Sequence, residues 1–242
     1  HGPDGSAAMA VIAPIWNIIY SFGLLCGIGG SVIYAVARGE RDDVKAANGY
    51  FTSAFILGTL WALILWVLVW VCEEPLLRLF GANDALMPLC KEYMVAPKLT
   101  VPVYVFINLL SSFLRNDGDP GSATKAVIFG GIFNVFGDYF FVFTLDMGIK
   151  GAGIATAMGA SMSVLVMLTH FISKKNTLKF VKPLRILNSF KMISVNGFSS
   201  FIVDVAMGIA TMLFNRRVME YLGTDALAVY GVIVVVGTLV QC

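Results

Sequence analysis

The sequence has few charged residues and few of the side chains on which enzymes most often depend. Only 13% of its 242 residues are Asp, Glu, Lys or Arg, and it contains two histidines and four cysteines. It has no HExxH zinc motif and no Walker phosphate loop. Cys72 and Cys90 could meet in one external loop, but two isolated cysteines are expected to stay reduced. The sequence therefore gives little support to metalloenzymes, nucleotide hydrolases or disulfide scaffolds.

Hydrophobic residues, in contrast, make up 58% of the chain, and the mean hydropathy is +0.81. Crossing a hydrocarbon core of about 30 Å takes about 20 helical residues. Seven runs carry at most one charge each: 5–37, 50–72, 99–114, 126–145, 151–173, 192–215 and 226–242. Backbone groups in lipid must be hydrogen-bonded within the segment, so these runs predict helices. The fold class is thus an all-α membrane protein with seven transmembrane helices.

Basic residues mark the side of the membrane on which the loops lie. Segments 38–45, 115–125 and 174–191 carry eleven of the 17 Lys and Arg residues. The stretch 173–191 has six basic residues and no acidic one. The positive-inside rule places all three loops in the cytoplasm. This rule explains the basic loop better than nucleic-acid binding does, because the net charge is only +2.

A short internal repeat indicates how the helices are organised. HGPDGSAAMAV (1–11) returns as LGTDALAVYGV (222–232), with Gly2 over Gly223 and Asp4 over Asp225. Six predicted helices separate the copies, so both copies run in the same direction through the membrane. Two lobes of six helices, twelve in all, are a known transporter construction. A chance match of small residues is the alternative.

The ends of the sequence predict an internal piece of a longer protein. Residue 1 is His, and the last residues fall inside an apolar run. We divide the piece into an N-terminal lobe (1–172), a basic cytoplasmic linker (173–191) and the start of a C-terminal lobe (192–242). Within the first lobe, the segment RNDGDP predicts a tight turn, with Pro120 starting the next helix.

One carboxylate lies within an apolar stretch, IFNVFGDYFFVF, where Asp138 has no basic residue near it in sequence. An ionised carboxylate at the bilayer centre costs about 2.5–3.5 kcal/mol, so it is expected to face a cavity or a partner. Asn134 lies one turn earlier on the same helical face, and Thr156 lies on the next helix. These oxygen-bearing groups predict a partial Na⁺ cage or a proton site. A merely structural polar pair is the alternative.

Two further polar residues lie in the sixth run, Asp204 and Asn215, and we predict them as candidate cavity-lining residues. His170, near a cytoplasmic helix end, is interpreted as an interfacial residue. Two intramembrane aspartates also suggest an intramembrane aspartyl protease. Such enzymes carry a GxGD stretch, and here the residue two before Gly137 is Val135, so this alternative is weak.

Four stretches together resemble the multidrug and toxic compound extrusion (MATE) family: GGSVIYAVARGE (29–40), FLRNDGDP (113–120), NVFGDY (134–139) and MGIKGAGIAT (147–156). The resemblance implies a fragment running from just before the second helix into the eighth helix of a twelve-helix, two-lobed transporter with a central cavity. It implies that Asn134, Asp138 and Thr156 form the cation site of the N-terminal lobe, together with an Asp upstream of this sequence. It also implies that the protein is not an enzyme.

The function expected from this resemblance is cation-coupled antiport, with H⁺ or Na⁺ as the coupling ion. The exported compounds would be amphipathic or cationic drugs and toxins. We expect a multi-pass monomer in the plasma (inner) membrane of a prokaryote, with no cofactor and no nucleic-acid partner. A lipid-linked oligosaccharide flippase of similar architecture is the runner-up. It would need arginines around its cavity, and the uncharged spans argue against it.

Overall fold

The computed structural model describes residues 2–39, 43–183 and 185–241, and helices make up most of this part of the chain. The α-helices are, in chain order, α1 (Gly2–Gly39), α2 (Val44–Val71), α3 (Glu73–Leu79), α4 (Met87–Met94), α5 (Val101–Asn116), α6 (Pro120–Asp138), α7 (Gly148–Leu168) and α8 (Ile186–Gln241). Short 3₁₀ segments cover Pro97–Thr100 and Thr169–Ile172, and a π-helical segment covers Tyr139–Thr144.

Six helical stretches of the described chain are long and apolar enough to cross a membrane. They are Asp4–Gly39, Val44–Val71, Pro97–Asn116, Pro120–Thr144, Gly148–Ile172 and Ile186–Gly223. Each overlaps one of the first six predicted runs, so the prediction of an all-helical membrane protein is confirmed. The seventh run, 226–242, ends at a residue outside the described part of the chain. A seventh transmembrane helix therefore stays a prediction.

The backbone of α8 is interrupted at Gly223, where φ is 79° and ψ is −169°. A positive φ of this size is in the left-handed region, which glycine adopts at little cost. The interruption lies at the end of the sixth span, within the second copy of the repeat (222–232). His1 of the first copy and the side chain of Asp225 lie outside the described residues, so the repeat remains a prediction.

The turn between α5 and α6 forms as its residues predict. Gly118 has a φ of 81°, and Asp119 caps the next helix by accepting a hydrogen bond from the Ser122 amide. Helix α6 then begins at Pro120, whose fixed φ suits the first helical position. The predicted tight turn and the predicted helix start are both confirmed.

The described parts of the three loops that we assigned to the cytoplasm meet at one end of the molecule, which we call the basic end (residues 43–45, 115–119, 173–183 and 185). Two backbone amides of the linker, those of Lys179 and Val181, donate to side chains of α2. The acceptors are Asn48 Oδ1 at 2.7 Å and Thr52 Oγ1 at 3.0 Å. Leu178, directly before the first of these bonds, is buried against the hydrophobic core. The linker therefore packs along α2, and helix α8 starts at Ile186, inside the predicted linker range.

Glycines allow α8 to approach α1 closely. A Cβ on Gly29 would collide with the carbonyl oxygen of Ile193, and one on Gly197 would collide with that of Leu25. Helices α6 and α7 form a second close pair, on which the site described next depends. The outward face of α6 is apolar and exposed, as a lipid-facing surface requires.

Candidate functional site

Asp138 is the last residue of α6, immediately before the π-helical segment Tyr139–Thr144. π-Helical segments are rare, and many of those that do occur lie at functional sites. The side chain is half-buried, and its Oδ1 atom is fully enclosed without a hydrogen-bond partner among the described residues. An enclosed carboxylate oxygen without a partner is costly, so it favours a proton, a cation or a water molecule beside it.

The structure brings Asn134 and Thr156 together. The amide nitrogen Nδ2 of Asn134 lies 3.4 Å from Thr156 Oγ1. The Thr156 hydroxyl donates its one proton to the carbonyl oxygen of Ala152 at 2.9 Å. It therefore acts as an acceptor toward Asn134 and also toward the Tyr93 hydroxyl, which lies at 3.0 Å. With its nitrogen bonded to Thr156, Asn134 keeps its amide oxygen available as a ligand.

Thr156 consequently uses both of its oxygen lone pairs inside the protein. To bind Na⁺ directly, it would have to release either Asn134 or Tyr93. These hydrogen bonds indicate that Thr156 orients the side chain of Asn134 next to Asp138. Asn134 and Asp138 then supply the free oxygen atoms of the predicted site.

Tyr93, on α4, is a site residue that sequence reasoning missed. It is buried, and its hydroxyl donates to Thr156. Burial raises the pKa of Tyr93; the hydrogen bond with Thr156 lowers it, and the negative charge of nearby Asp138 raises it again. A raised pKa keeps this hydroxyl protonated, as a donor must be. No sequence signal separated Tyr93 from the other aromatic residues, because α4 is a short helix outside the apolar runs.

Small residues place α6 and α7 close enough for these contacts. A Cβ on Gly159 would lie 2.7 Å from the carbonyl oxygen of Gly130 and 2.9 Å from Asn134 Cβ. A Cβ on Gly137 would lie 2.9 Å from Ala155 Cβ. Small residues on both helices therefore permit the close approach. Larger residues at these positions would separate Asn134 from Thr156.

Two adjacent glycines of α6 offer a test of this packing. In the variant Gly130→Ala, the new Cβ would overlap Ser163 Oγ and lie 2.8 Å from the carbonyl oxygen of Gly159. We expect it to lower the free energy of unfolding by about 1–3 kcal/mol, as overpacking does. At Gly131 a Cβ would meet nothing within 4 Å. Gly131→Ala is therefore expected to be neutral or stabilising by up to about 1 kcal/mol. Thermal unfolding of the purified full-length variants measures both, and equal effects would contradict this account of the interface.

The chemistry of the site suits a hard cation or a proton. Asp138 makes no ion pair with any described residue. Within the described chain, no group of three or more His, Cys, Asp or Glu residues lies in metal-binding proximity. Carboxylate, amide and hydroxyl oxygens are ligands for hard cations rather than for soft transition metals.

The other two candidate residues lie apart from this group. Helix α8 packs mainly on α1, whereas Asp138 lies on α6, which packs on α7. Asn215 is buried and donates to the carbonyl oxygen of Ala10 at 2.6 Å, so it ties α8 to α1. Its Oδ1 atom has no partner among the described residues. Asp204 is half-buried and makes no hydrogen bond to a described residue.

A second polar group, which we call the Asp117 cluster, lies at the basic end. It consists of Tyr34, Arg38, Asp117, Asp119, His170 and Thr177. Asp117 is its centre and accepts from Tyr34 Oη at 2.8 Å, Arg38 at 3.3 Å and the Thr177 amide at 2.9 Å. The hydroxyl of Thr177 also bonds to Asp117.

His170 lies between the two carboxylates of the cluster. Its Nε2 is 2.8 Å from Asp117 and its Nδ1 is 3.1 Å from Asp119. The side chain is only 1% exposed, so the interpretation of His170 as an interfacial residue was wrong. Its partners are more than fifty residues away in sequence, which left no local signal. The cluster joins the end of α1, the turn before α6, the end of α7 and the linker.

The electrostatics of the cluster favour ionised aspartates. Burial alone would raise the pKa of Asp117, but hydrogen bonds from Thr177, His170 and Tyr34 outweigh it and hold the pKa below its usual value. Hydrogen bonds from Ser122 likewise lower the pKa of Asp119, with His170 contributing.

The fold defines a polytopic α-helical membrane protein that encloses, between two of its helices, a carboxylate with no ion-pair partner in the described part of the chain. The chain belongs to the MatE family, whose model matches residues 2–140. It is 25% identical, over 93% of its length and 50% of the relative's, to the multidrug export protein MepA of Staphylococcus saprophyticus. It is 23% identical over the same shares to MepA of Staphylococcus aureus. The chain thus spans about half the length of these curated relatives.

Solved structures show the same fold. The inward-facing conformation of a multidrug resistance MATE family transporter superposes with a TM-score of 0.89 over 95% of this chain and 53% of that one, at 24% identity. A MATE crystal structure in the bent conformation superposes with a TM-score of 0.80, over 95% of this chain and 52% of that one, at 25% identity. The resemblance predicted from the sequence motifs is confirmed, and the chain corresponds to about half of a MATE transporter.

Proposed function

We propose that the full-length protein is a cation-coupled antiporter that exports amphipathic or cationic drugs and toxins across the plasma membrane of a prokaryote. In this proposal, residues 1–172 belong to the N-terminal lobe, 173–191 to the linker and 192–242 to the start of the C-terminal lobe. The membership in a family of transporters and the multidrug export named for the relatives support the reaction class. The observation that carries the proposal is the enclosed oxygen of Asp138, which has no hydrogen-bond partner among the residues that the structure describes.

The coupling step follows from that oxygen. An empty, ionised Asp138 is costly inside the bundle, so it favours whichever lobe arrangement lets water or an ion reach it. Binding H⁺, or Na⁺ together with the amide oxygen of Asn134, removes this cost. Because a ligand shifts an equilibrium only by its differential affinity for the two states, the ion then favours a different arrangement from the empty site. Thr156 and Tyr93 hold Asn134 in position for either ion.

Export of ethidium from vesicles tests the proposal and separates the two ions. The full-length protein is reconstituted, and either a Na⁺ gradient or a pH gradient is imposed as the sole driving force. We expect export to respond to one of them and to stop when that gradient is collapsed. Export that responds to neither gradient would refute antiport. Transfer of a lipid-linked oligosaccharide in the same vesicles, without dye export, would favour the flippase instead.

A further inference from the structure

A cationic cavity opens at the basic end, apart from the Asp138 site. Its volume is about 410 Å³, and its polar lining comes from three elements: the first turns of α2, the linker and the first turn of α8. The polar side chains that line it are Lys45, Tyr50, Lys182, Arg185, Asn188 and Ser189. Three of these carry a positive charge, and no acidic side chain is among the lining residues that the structure describes.

The cavity lies where two membrane-spanning stretches begin. The spans Val44–Val71 and Ile186–Gly223 both start beside it. A site at the start of two spans lies at the level of the lipid headgroups. The amino-terminal ends of α2 and α8 add a partial positive charge in the same place.

Exposed apolar side chains flank these cations. Leu187 is 78% exposed and Val44 is 49% exposed, and each is the neighbour in sequence of a lining segment. A soluble anion would use only the charged cavity. A phospholipid would use both, with its phosphate among the cations and its acyl chains along the apolar side chains.

We propose that this cavity binds the phosphate-bearing headgroup of an anionic phospholipid from the cytoplasmic leaflet. The positive-inside rule explains why the linker is basic, but it requires only that the charges lie on this side. Lys174, Lys175 and Lys179 satisfy it equally and lie outside the cavity. Lys45, Lys182 and Arg185 instead converge on one concave surface from two separate segments, which is the arrangement that basic lipid-headgroup pockets show.

Native mass spectrometry of the full-length protein tests the proposal without requiring transport. The protein is mixed with phosphatidylglycerol or with phosphatidylcholine of the same acyl chains, and the bound lipid is counted. We expect clear preference for phosphatidylglycerol. The triple variant Lys45→Gln/Lys182→Gln/Arg185→Gln should lose the preference by about tenfold or more, because each cation at an anionic surface contributes about fivefold. The control Lys174→Gln/Lys175→Gln/Lys179→Gln removes the same number of positive charges from the basic end and should keep the preference.

Two results would overturn the proposal. One is an equal loss of preference in the cavity variant and in the control, which would show a diffuse charge effect. The other is displacement of the lipid by millimolar inorganic phosphate, which would show a site for a free anion. A cavity variant that fails to fold is recognised by its unfolding temperature, and the single variant Arg185→Gln then replaces it in the same comparison, with Lys179→Gln as its control.

Discussion

Replacing Asp138 with Asn is expected to reduce gradient-driven export of ethidium to the level of vesicles without protein. The substitution keeps the size of the side chain but removes the negative charge of Asp138, which lies beside the hydrogen-bonded residues Asn134, Thr156 and Tyr93. An amide neither binds a proton at ordinary pH nor attracts Na⁺ strongly, so the site would no longer respond to either gradient. The unfolding temperature should not fall, because an enclosed ionised carboxylate without a partner destabilises the folded protein.

Asp146 provides a matched control for this variant. It lies in the exposed turn between the π-helical segment and α7, and its φ of 49° is one that Asn tolerates. Asp146→Asn removes the same charge outside the helix pair and should leave export unchanged. If Asp138→Asn exported ethidium under a gradient as fast as the Asp146→Asn control does, Asp138 could not be the residue that couples export to the ion.

The variant Asp117→Asn is expected to cause the largest loss of stability. The side chain of Asp117 is fully buried and accepts hydrogen bonds from Tyr34, Thr177 and His170. It also forms an ion pair with Arg38. An amide nitrogen in place of one oxygen would face donors, and Arg38 would lose its counter-charge. Each buried donor left without its acceptor costs about 1–3 kcal/mol, so the loss from these donors together is expected to be about 3–5 kcal/mol. Thermal or denaturant unfolding of the full-length protein in detergent measures the loss.

An exposed aspartate serves as the control for that measurement. The side chain of Asp84 is 89% exposed, and it forms an ion pair with Arg78 at the end of the bundle opposite the Asp117 cluster. Asp84→Asn should change stability by no more than about 0.5 kcal/mol, as exposed ion pairs contribute little. Similar losses in the two variants would contradict the central position of Asp117 in its cluster.

The cluster also predicts how stability depends on pH. Asp117 and Asp119 both have a lowered pKa in the folded protein. Their stabilising contribution is therefore fully present above the ordinary aspartate pKa of about 3.9 and is lost as pH falls through the lower folded values. Asp117→Asn should flatten this acid limb of the stability curve, and an unchanged limb would argue against ionised aspartates in the cluster.

The spans and the turn at Pro120 could be predicted because their signals are local. Hydropathy places a helix wherever about 20 apolar residues occur together, and the Asn-Asp-Gly-Asp-Pro stretch specifies a tight turn by backbone preference alone. Asn134 and Asp138 could be paired for the same reason, since helical spacing alone puts them on one face. The contact of Asn134 with Thr156 needed one further assumption, that small residues bring α6 and α7 together.

Tyr93 and His170 show where this reasoning ends. Tyr93 reaches Thr156 from a short helix with no hydropathy signal, and His170 meets aspartates on a distant turn. Contacts of this kind depend on how whole helices are arranged, which residue spacing does not encode. The basic linker was predicted as a charged loop, but its packing along α2 depends on Asn48 and Thr52, two polar residues that look unremarkable in sequence.

The packing of the linker against α2 has a consequence for splicing halves of related proteins. Because α2 holds the linker through the backbone amides of Lys179 and Val181, the bonds depend little on which side chains the linker carries. A chimera that replaces the part of this chain after the linker with the matching part of a relative should therefore keep the chain through Val181 and place its junction after that residue. A junction directly after α7 would discard the segment for which Asn48 and Thr52 provide the acceptors.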